Sequence, residues 1–428
     1  MGVIIPEGNH PLSPMQMSSG SCEIVTKLQK SGFDAFLVGG CVRDALLGLN
    51  PKDFDIATNA NPREIKLLFN RAKIIGRRFQ IVHIQLHREI IEVTTFRSNQ
   101  KHQRSDKLRH QTKTGMLTRD NVFGSIKDDA NRRDLSINAL YYNPTDNSIH
   151  DFLDSLTDIK KNIIRIIGDP TVRFKEDPVR LLRVVRFSTK LNFKIDSKTA
   201  EPMYRLGNTL PQISAPRLFE ECLKLFLTGH AFANYKLLNK YNFMSYLMPC
   251  FAKSKIGADR AKRLVSKLLT NTDQRVHSGK PVTPAFTFAA LLWPEVQKES
   301  LKNIQNGKTV PIVKMLAADE VLSKQIQIIA IPRRHTTAMR EIWQLQVPLQ
   351  KKQRAARLMG HPRFRAAYDL LLLREESGES LGGAGTWWTK YQEQHPQNRP
   401  KKCKPPKAIS SNKSRRRKYF PPKLKDDC

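Results

Sequence analysis

The sequence predicts an α+β chain: a small mixed-sheet unit, then all-helical units, then a disordered basic tail. Three observations carry this. Between residues 21 and 155, short apolar runs alternate with helix-like segments. From Asp177 onward, apolar residues recur at helical spacing almost without a break. Residues 396–428 hold twelve Lys/Arg against two Asp/Glu, with prolines at 400, 405, 406, 421 and 422, a composition that cannot bury a core.

Taken in order, residues 1–20 carry Pro6, Pro11 and Pro14 and are expected to be irregular. Ile24, Val25 and Leu28 fit one face of a helix that stops before Gly32. Strand signals follow at 36–38, 53–57, 79–86 and 90–96. Between them, Asn61-Pro62 reads as an N-cap and first helical residue, opening a helix through Ile65, Leu68 and Phe69. Residues 98–118 are polar and basic with no apolar period, which predicts a mobile loop. A helix is expected around Ala130–Leu140 and a closing strand at Ser148–Phe152. Asp177 is placed to cap a helix whose first turn accepts Pro178. On that helix Leu181, Val184, Val185 and Ser188 share one face, with Arg180 and Arg183 on an adjacent one. Amphipathic segments recur near 216–227, 285–293, 335–346 and 363–374. Gly378–Gly385 marks a weak boundary before Trp387-Trp388.

The charge narrows the partners. Lys+Arg 73 against Asp+Glu 39 gives +34, of which the last 33 residues supply +10. Such an excess favours a polyanion. Arg415-Arg416-Arg417-Lys418 in the tail suits phosphate contact without sequence reading. The six cysteines show no Cys-x-x-Cys spacing, which argues against a zinc or thioredoxin-like site and suits a reducing cytoplasm. No apolar run is long enough to span a bilayer, and no basic-then-apolar leader opens the chain.

The densest chemistry lies early. Phe36-Leu37-Val38 runs into Gly39-Gly40, and Asp53-Phe54-Asp55-Ile56 follows. Glycines let the backbone turn and approach a ligand. In a strand, Asp53 and Asp55 would share a face with Cα atoms roughly 6.6 Å apart. Carboxylates so placed suit a pair of divalent ions about 3.5–4 Å apart. Mg²⁺ favours a few carboxylates plus phosphate oxygens and water, so the pattern points to a nucleoside-triphosphate site. An isolated Asp-x-Asp is more often a solvated turn; the order of the two motifs favours the site.

Four motifs in order then bear a family resemblance: Gly39-Gly40-x-Val42-Arg43-Asp44, Asp53-x-Asp55, Arg132-Arg133-Asp134, and Glu176-Asp177-Pro178-Val179-Arg180 with Arg183 and Arg186-Phe187. Together they resemble the nucleotidyltransferases that include tRNA CCA-adding enzymes and bacterial poly(A) polymerases. Ile74-Ile75-Gly76-Arg77-Arg78-Phe79, Asn271-Thr272-Asp273, Ile342-Trp343-Gln344 and His361-Pro362 resemble the poly(A) polymerase branch. The resemblance implies a nucleotidyltransferase head with a small mixed sheet and helices, followed by an all-helical neck and body. The expected boundaries are an irregular segment at 1–20, a catalytic head at 21–155, a base- and RNA-binding neck at 156–240, an RNA-binding body at 241–390 and a tail at 391–428.

It further implies template-independent addition of AMP from ATP to RNA 3′ ends, with pyrophosphate released. Asp53 and Asp55 would hold two Mg²⁺ ions, with Mn²⁺ as a substitute. Glu92, in Ile90-Ile91-Glu92-Val93, is one candidate third carboxylate; Asp134 is the other, or it holds the ribose or orders the arginines. Gly39, Gly40, Arg43, Arg133 and Arg183 would serve the triphosphate, and Arg43 is equally suited to a salt bridge with Asp44. Asp177 and Arg180 would read the base, as this helix does in relatives. His83 reads as a core histidine. Implied partners are RNA 3′ ends, with RNA-decay or helicase proteins as further candidates, and a monomer is expected. The competing readings are a CCA-adding tRNA nucleotidyltransferase and a non-catalytic RNA-binding adaptor on the same fold.

Overall fold

The computed structural model describes residues 2–76, 80–86, 89–98, 109–111, 117–120, 123–249, 258–304 and 310–396. Arg77, Arg78 and the basic tail residues Arg415, Arg416, Arg417 and Lys418 lie outside the described residues, as does most of the expected loop at 98–118. Its two described pieces, β7 (Arg109–Gln111) and β8 (Leu117–Asp120), pair antiparallel.

The head is a single eight-stranded mixed sheet. Its strands are β1 (Val3–Ile5), β2 (Ala35–Val38), β3 (Asp55–Thr58), β4 (Ala72–Ile75), β5 (Ile81–Leu86), β6 (Glu89–Thr95), β9 (Leu140–Asn143) and β10 (Ser148–Asp151), in the order β1-β10-β9-β2-β3-β6-β5-β4. Every neighbour pair is antiparallel except β3 with β6. All four residues of β2 are buried because the strand is covered on both faces. Ala35 and Leu37 join the main core, while Phe36 and Val38 pack with Ala57, Phe96, Ala130 and Tyr141 on the other side. A continuous apolar run is the mark of such a strand.

The head helices follow the sequence signals in part. Helix α1 (Ser19–Lys30) buries Ile24, Val25 and Leu28. Helix α2 (Gly40–Leu46) follows the glycine turn, and α3 (Pro62–Leu68) opens on an Asn61/Glu64 capping box. Three expectations are corrected. Residues 1–20 are not wholly irregular: Val3–Ile5 closes the sheet edge against β10. Asp53 precedes β3 rather than lying in it, so the alternation argument applies from Asp55 onward. The helix expected over Ala130–Leu140 is instead α4 (Ile126–Arg132), a 3₁₀ turn at Ser136–Asn138 and the start of β9. Ser125 fixes that earlier start by accepting from the Asp128 amide.

After the head come α5 (Ser155–Lys160), α6 (Pro170–Glu176), α7 (Val179–Leu191), α8 (Ser197–Leu206), α9 (Ala215–Phe226), α10 (Ala231–Lys240) and α11 (Met244–Leu247), with a short parallel pair, β11 (Ile163–Ile164) and β12 (Lys194–Ile195). Helix α7 buries Leu181, Val184, Val185 and Ser188 as their spacing required. Asp177 does not cap it. Pro178 occupies the N-cap position, and Asp177 ends α6 instead.

The body holds α12 (Ala258–His277), α13 (Pro284–Ile304), α14 (Val310–Ile328), α15 (Arg333–Gln344), α16 (Gln346–Gln350), α17 (Ala355–Met359), α18 (Phe364–Glu376) and α19 (Ala384–Gln394). Trp293, Trp343 and Trp388 are fully buried. Trp388 donates to the Leu349 carbonyl at 2.8 Å and packs on Phe364. Gly378–Gly385 is therefore a tight return rather than a boundary. One continuous core runs from α1 to α19.

Candidate active site

The glycine turn sits on the carboxylate. Gly39 adopts φ +81°, open to glycine and strained for other residues. A Cβ there would lie 3.5 Å from Arg133 Nη1 and 4.0 Å from Asp55 Oδ2. Gly40 needs no such conformation, since it begins α2 with negative φ. Cys41 behind it is buried and donates to the Val38 carbonyl; burial pushes its thiol up to about 12, so it is a packing residue.

The parallel β3–β6 pairing sets Asp55 opposite Glu92. Burial first, and the Glu92 carboxylate second, push Asp55 up to about 6, with Arg133 opposing and Asp53 reinforcing the rise. Asp53 is exposed at the mouth of the site. Glu92 is half exposed and meets His83 Nε2 at 3.1 Å. His83 is thus not a core histidine; it flanks the carboxylate. Crowded negative charge that raises a carboxyl is the electrostatic signature of a cation site. Among the described residues no three acidic, histidine or thiol groups converge into a closed cage. Two carboxylates in register, Asp55 and Glu92, are the donor type that hard divalent cations take together with phosphate oxygens and water.

Arg133 donates to Asp129 Oδ2 at 3.0 Å and to the Tyr141 hydroxyl at 3.1 Å. Tyr141 in turn donates to Asp129 at 2.6 Å. This buried triad fixes the guanidinium while Nη1 faces the glycine turn. Arg43 takes the other of its two expected roles. It is 2% exposed, donates to Asp44 at 2.8 Å and to Asn138, and lies over the Phe187 ring.

Asp134 bridges the head to the neck. Its carboxylate accepts from Arg183 Nε on α7 and from its neighbour's amide at Leu135, 2.9 Å away. Burial would raise this carboxyl, but Arg183 and that amide hold it well below the usual carboxylate range. Asp134 thus holds Arg183, whose charge also acts on Asp55. Lys190, also on α7, meets Asp44 at 3.3 Å. Arg173 on α6 donates to the Arg133 carbonyl at 2.7 Å.

The expected base readers are both partnered. Arg217 on α9 clamps Asp177 with two parallel hydrogen bonds of 2.8 and 2.7 Å. Arg180, 9% exposed, donates to the Arg173 carbonyl at 2.8 Å and to Glu176 at 3.2 Å. Asp129, Tyr141, Asn138, Arg217 and Glu176 went unnoticed as site residues in the sequence. Glu176 was within reach, since it opens the Glu176–Arg180 motif, and Asn138 lies four residues past Asp134; the partnership of Arg217 with Asp177, 40 residues away, had no local signal.

Comparison with known proteins agrees with this geometry. Residues 35–165 match the poly A polymerase head domain, residues 192–255 the probable RNA and SrmB-binding site of polymerase A, and residues 308–420 the polymerase A arginine-rich C-terminus. Poly(A) polymerase I of Escherichia coli O6:H1 is 43% identical over 397 residues, covering 91% of this chain and 85% of that protein. Poly(A) polymerase I of Haemophilus influenzae is 40% identical over 434 residues, 99% of this chain and 95% of that one. A CCA-adding enzyme of Leuconostoc mesenteroides is 36% identical over 224 residues, 52% of this chain and 53% of that protein. The crystal structure of the Bacillus stearothermophilus CCA-adding enzyme with CTP shares the fold, with a TM-score of 0.58 at 23% identity, covering 90% of this chain and 82% of that one. Similarity this high along nearly the whole chain, over a nucleotidyltransferase head, means that the chain is an enzyme of the bacterial poly(A) polymerase I family.

Proposed function

We propose that this enzyme adds AMP from ATP to RNA 3′ ends without a template, releasing pyrophosphate and so marking RNA for decay. One observation carries the choice of branch: likeness to poly(A) polymerase I extends over more than nine-tenths of the chain, whereas the CCA-adding relative matches about half. The adaptor reading is disfavoured by Asp55, Glu92 and the glycine turn standing together. Separate incubation with each nucleotide, Mg²⁺ and a labelled RNA tests it. Long ladders with ATP alone are expected; one to three additions of C then A on a trimmed tRNA would overturn the branch.

In this reading Asp53 and Asp55 hold two divalent ions, Mg²⁺ or Mn²⁺, with Glu92 as the third carboxylate. Bound there, the ions would supply Lewis-acid activation of the 3′-hydroxyl and charge stabilisation at the α-phosphate. The chain's own contribution is positioning. Gly39 and Gly40 let backbone amides approach the triphosphate. Arg133 aims Nη1 at the same place. Arg43 and Asp134 act indirectly, by fixing α2 and Arg183. Arg217 holds Asp177 oriented to accept from the adenine amino group, while Arg180 donates to a ring nitrogen. The head, neck and body are read as 21–155, 156–240 and 241–390. The segment matching the RNA and SrmB-binding model is the place for a protein partner. The free thiols of Cys22, Cys41 and Cys222 suit a reducing cytoplasm.

Arg180→Ala is expected to lower the ratio of ATP to CTP incorporation while leaving metal affinity unchanged. Steady-state incorporation of each nucleotide measures this, and an unchanged ratio would remove Arg180 from base reading. Deleting residues 396–428 is expected to weaken RNA binding and flatten its salt dependence by about 0.7 per lost phosphate contact. Single-turnover addition at saturating RNA should persist, because the catalytic motifs precede residue 190. Equal salt slopes with and without the tail would make it a solubilising extension.

A further inference from the structure

The body carries two adjoining cavities of about 490 and 400 Å³ that share Lys314, Val347 and Lys351. The first is completed by Gln350, Lys352, Leu381 and Gly382; the second has an apolar wall of Met315, Ala318, Trp343 and Pro348. No carboxylate among the described residues lines either one. Lys314 stands between them on α14, half-buried, 5.6 Å from the centre of the Trp293 ring. Arg374 lies on the same ring at 4.6 Å and is already tied to Glu379 and Gln346. Lys314 makes no ion pair or hydrogen bond among the described residues; its nearest compensating charge is Glu379, already held by Arg374. Burial, and then Arg374, push its ammonium down to about 8.

We propose that this cleft is a single-stranded RNA subsite, in which Lys314, Lys351 and Lys352 meet phosphates and the Met315–Pro348 wall takes a base. This rests on the reading of the chain as an RNA-extending enzyme, and it adds a place in the body where the strand behind the growing 3′ end is gripped. Charge decides the occupant. Three ammonium groups with no lining carboxylate select a polyanion. The apolar wall beside them matches the alternation of charged backbone and flat base that single strands present, which binding grooves meet with cations and apolar platforms. The chain's own tail, with twelve Lys/Arg against two Asp/Glu, has the wrong overall charge to fill the cleft.

The test is lysine acetylation mapped by mass spectrometry on the full chain, with and without oligo(A), alongside binding of labelled oligo(A) by anisotropy across a salt series. Oligo(A) should protect Lys314 and Lys351, and ATP alone should not. The K314Q/K351Q pair should weaken oligo(A) binding several-fold and flatten the salt slope by about 1.4, or 0.7 for each contact. K314R/K351R should restore both, which separates charge from packing. Equal labelling with and without oligo(A), or an unchanged slope in the glutamine pair, would overturn the proposal. So would protection by polyglutamate but not by oligo(A), which would make the cleft a protein-docking site. Protection of both lysines in a protein that adds no AMP would sink the functional reading and leave the cleft standing; processive AMP addition without protection would do the reverse.

Discussion

Asp55→Asn is expected to abolish nucleotide addition and, in the same molecule, to raise the melting temperature of the metal-free protein at pH 7. In the proposed site Asp55 holds the ions, and its loss there removes several kcal/mol of transition-state stabilisation. At about 4 kcal/mol the rate falls roughly 10³-fold. The stability gain follows from the carboxyl being pushed up to about 6 by burial and Glu92. Its folded pKa lies above the unfolded one, so the folded state holds the proton more tightly between these values. Stability from this group is therefore full at low pH and lost as pH rises through about 6. A neutral amide escapes that loss. Wild type and variant should melt alike near pH 4 and diverge by pH 7 in chelator; saturating Mg²⁺ should close the gap by stabilising only the wild type. Near-normal turnover in Asp55→Asn would exclude this site, and coincident melting curves across the range would exclude the strain. Asp53 is exposed, so Asp53→Ala should lose turnover without the stability gain.

Arg374→Ala should be the most damaging single change in the body. Its side chain is 1% exposed, donates to Glu379 at 3.0 and 2.6 Å and to Gln346 at 2.9 Å, and covers Trp293. Removing one partner of such a pair leaves Glu379, partly buried, with only its 2.9 Å bond from Gln297 and the more distant charges of Lys314 and Arg260, which costs about 3–5 kcal/mol. For a unit of about 150 residues that is a drop of roughly 6–20 °C in melting temperature. Replacing both Arg374 and Glu379 by Met should recover much of it, because the cost arises from the orphaned charge. Thermal unfolding of the three proteins decides the matter; a drop under about 2 °C for the single variant would show that water compensates Glu379.

What the sequence disclosed and what it withheld divide along physical lines. Helix α7 was legible because its apolar residues repeat at helical spacing and one face meets the core. Asn61-Pro62 was legible because capping is local chemistry. Strand β1 was not, because three residues gain their place only by pairing with β10 at the far end of the head. The stretch after Asp134 was misread as helix because its apolar residues are buried by a 3₁₀ turn and a strand that follow each other at nearly helical spacing. At the site, residue types and order marked Gly39, Asp53, Asp55 and Asp134 as candidates, and the fold sets Gly39 beside Asp55. Partnerships did not follow from type: Asp177 sits just before α7, where a cap would sit, and only the fold shows Arg217 holding its carboxylate. Arg43 has the chemistry of a phosphate ligand and the burial of a structural residue.

The single parallel seam in the sheet has a kinetic meaning. Asp55 and Glu92 are brought side by side only when β3 finds β6, although β4 and β5 intervene in sequence and end on the far side of β6 in the sheet. A slip of one residue would turn Glu92 to the opposite face. A centre built on Asp55 and Glu92 thus cannot exist in a chain emerging from the ribosome until β6 has been synthesised and docked, and closing that loop is among the slower steps open to a small sheet. A nascent enzyme is in this way silent by construction, and tight retention of a divalent ion would time the moment at which the head becomes native.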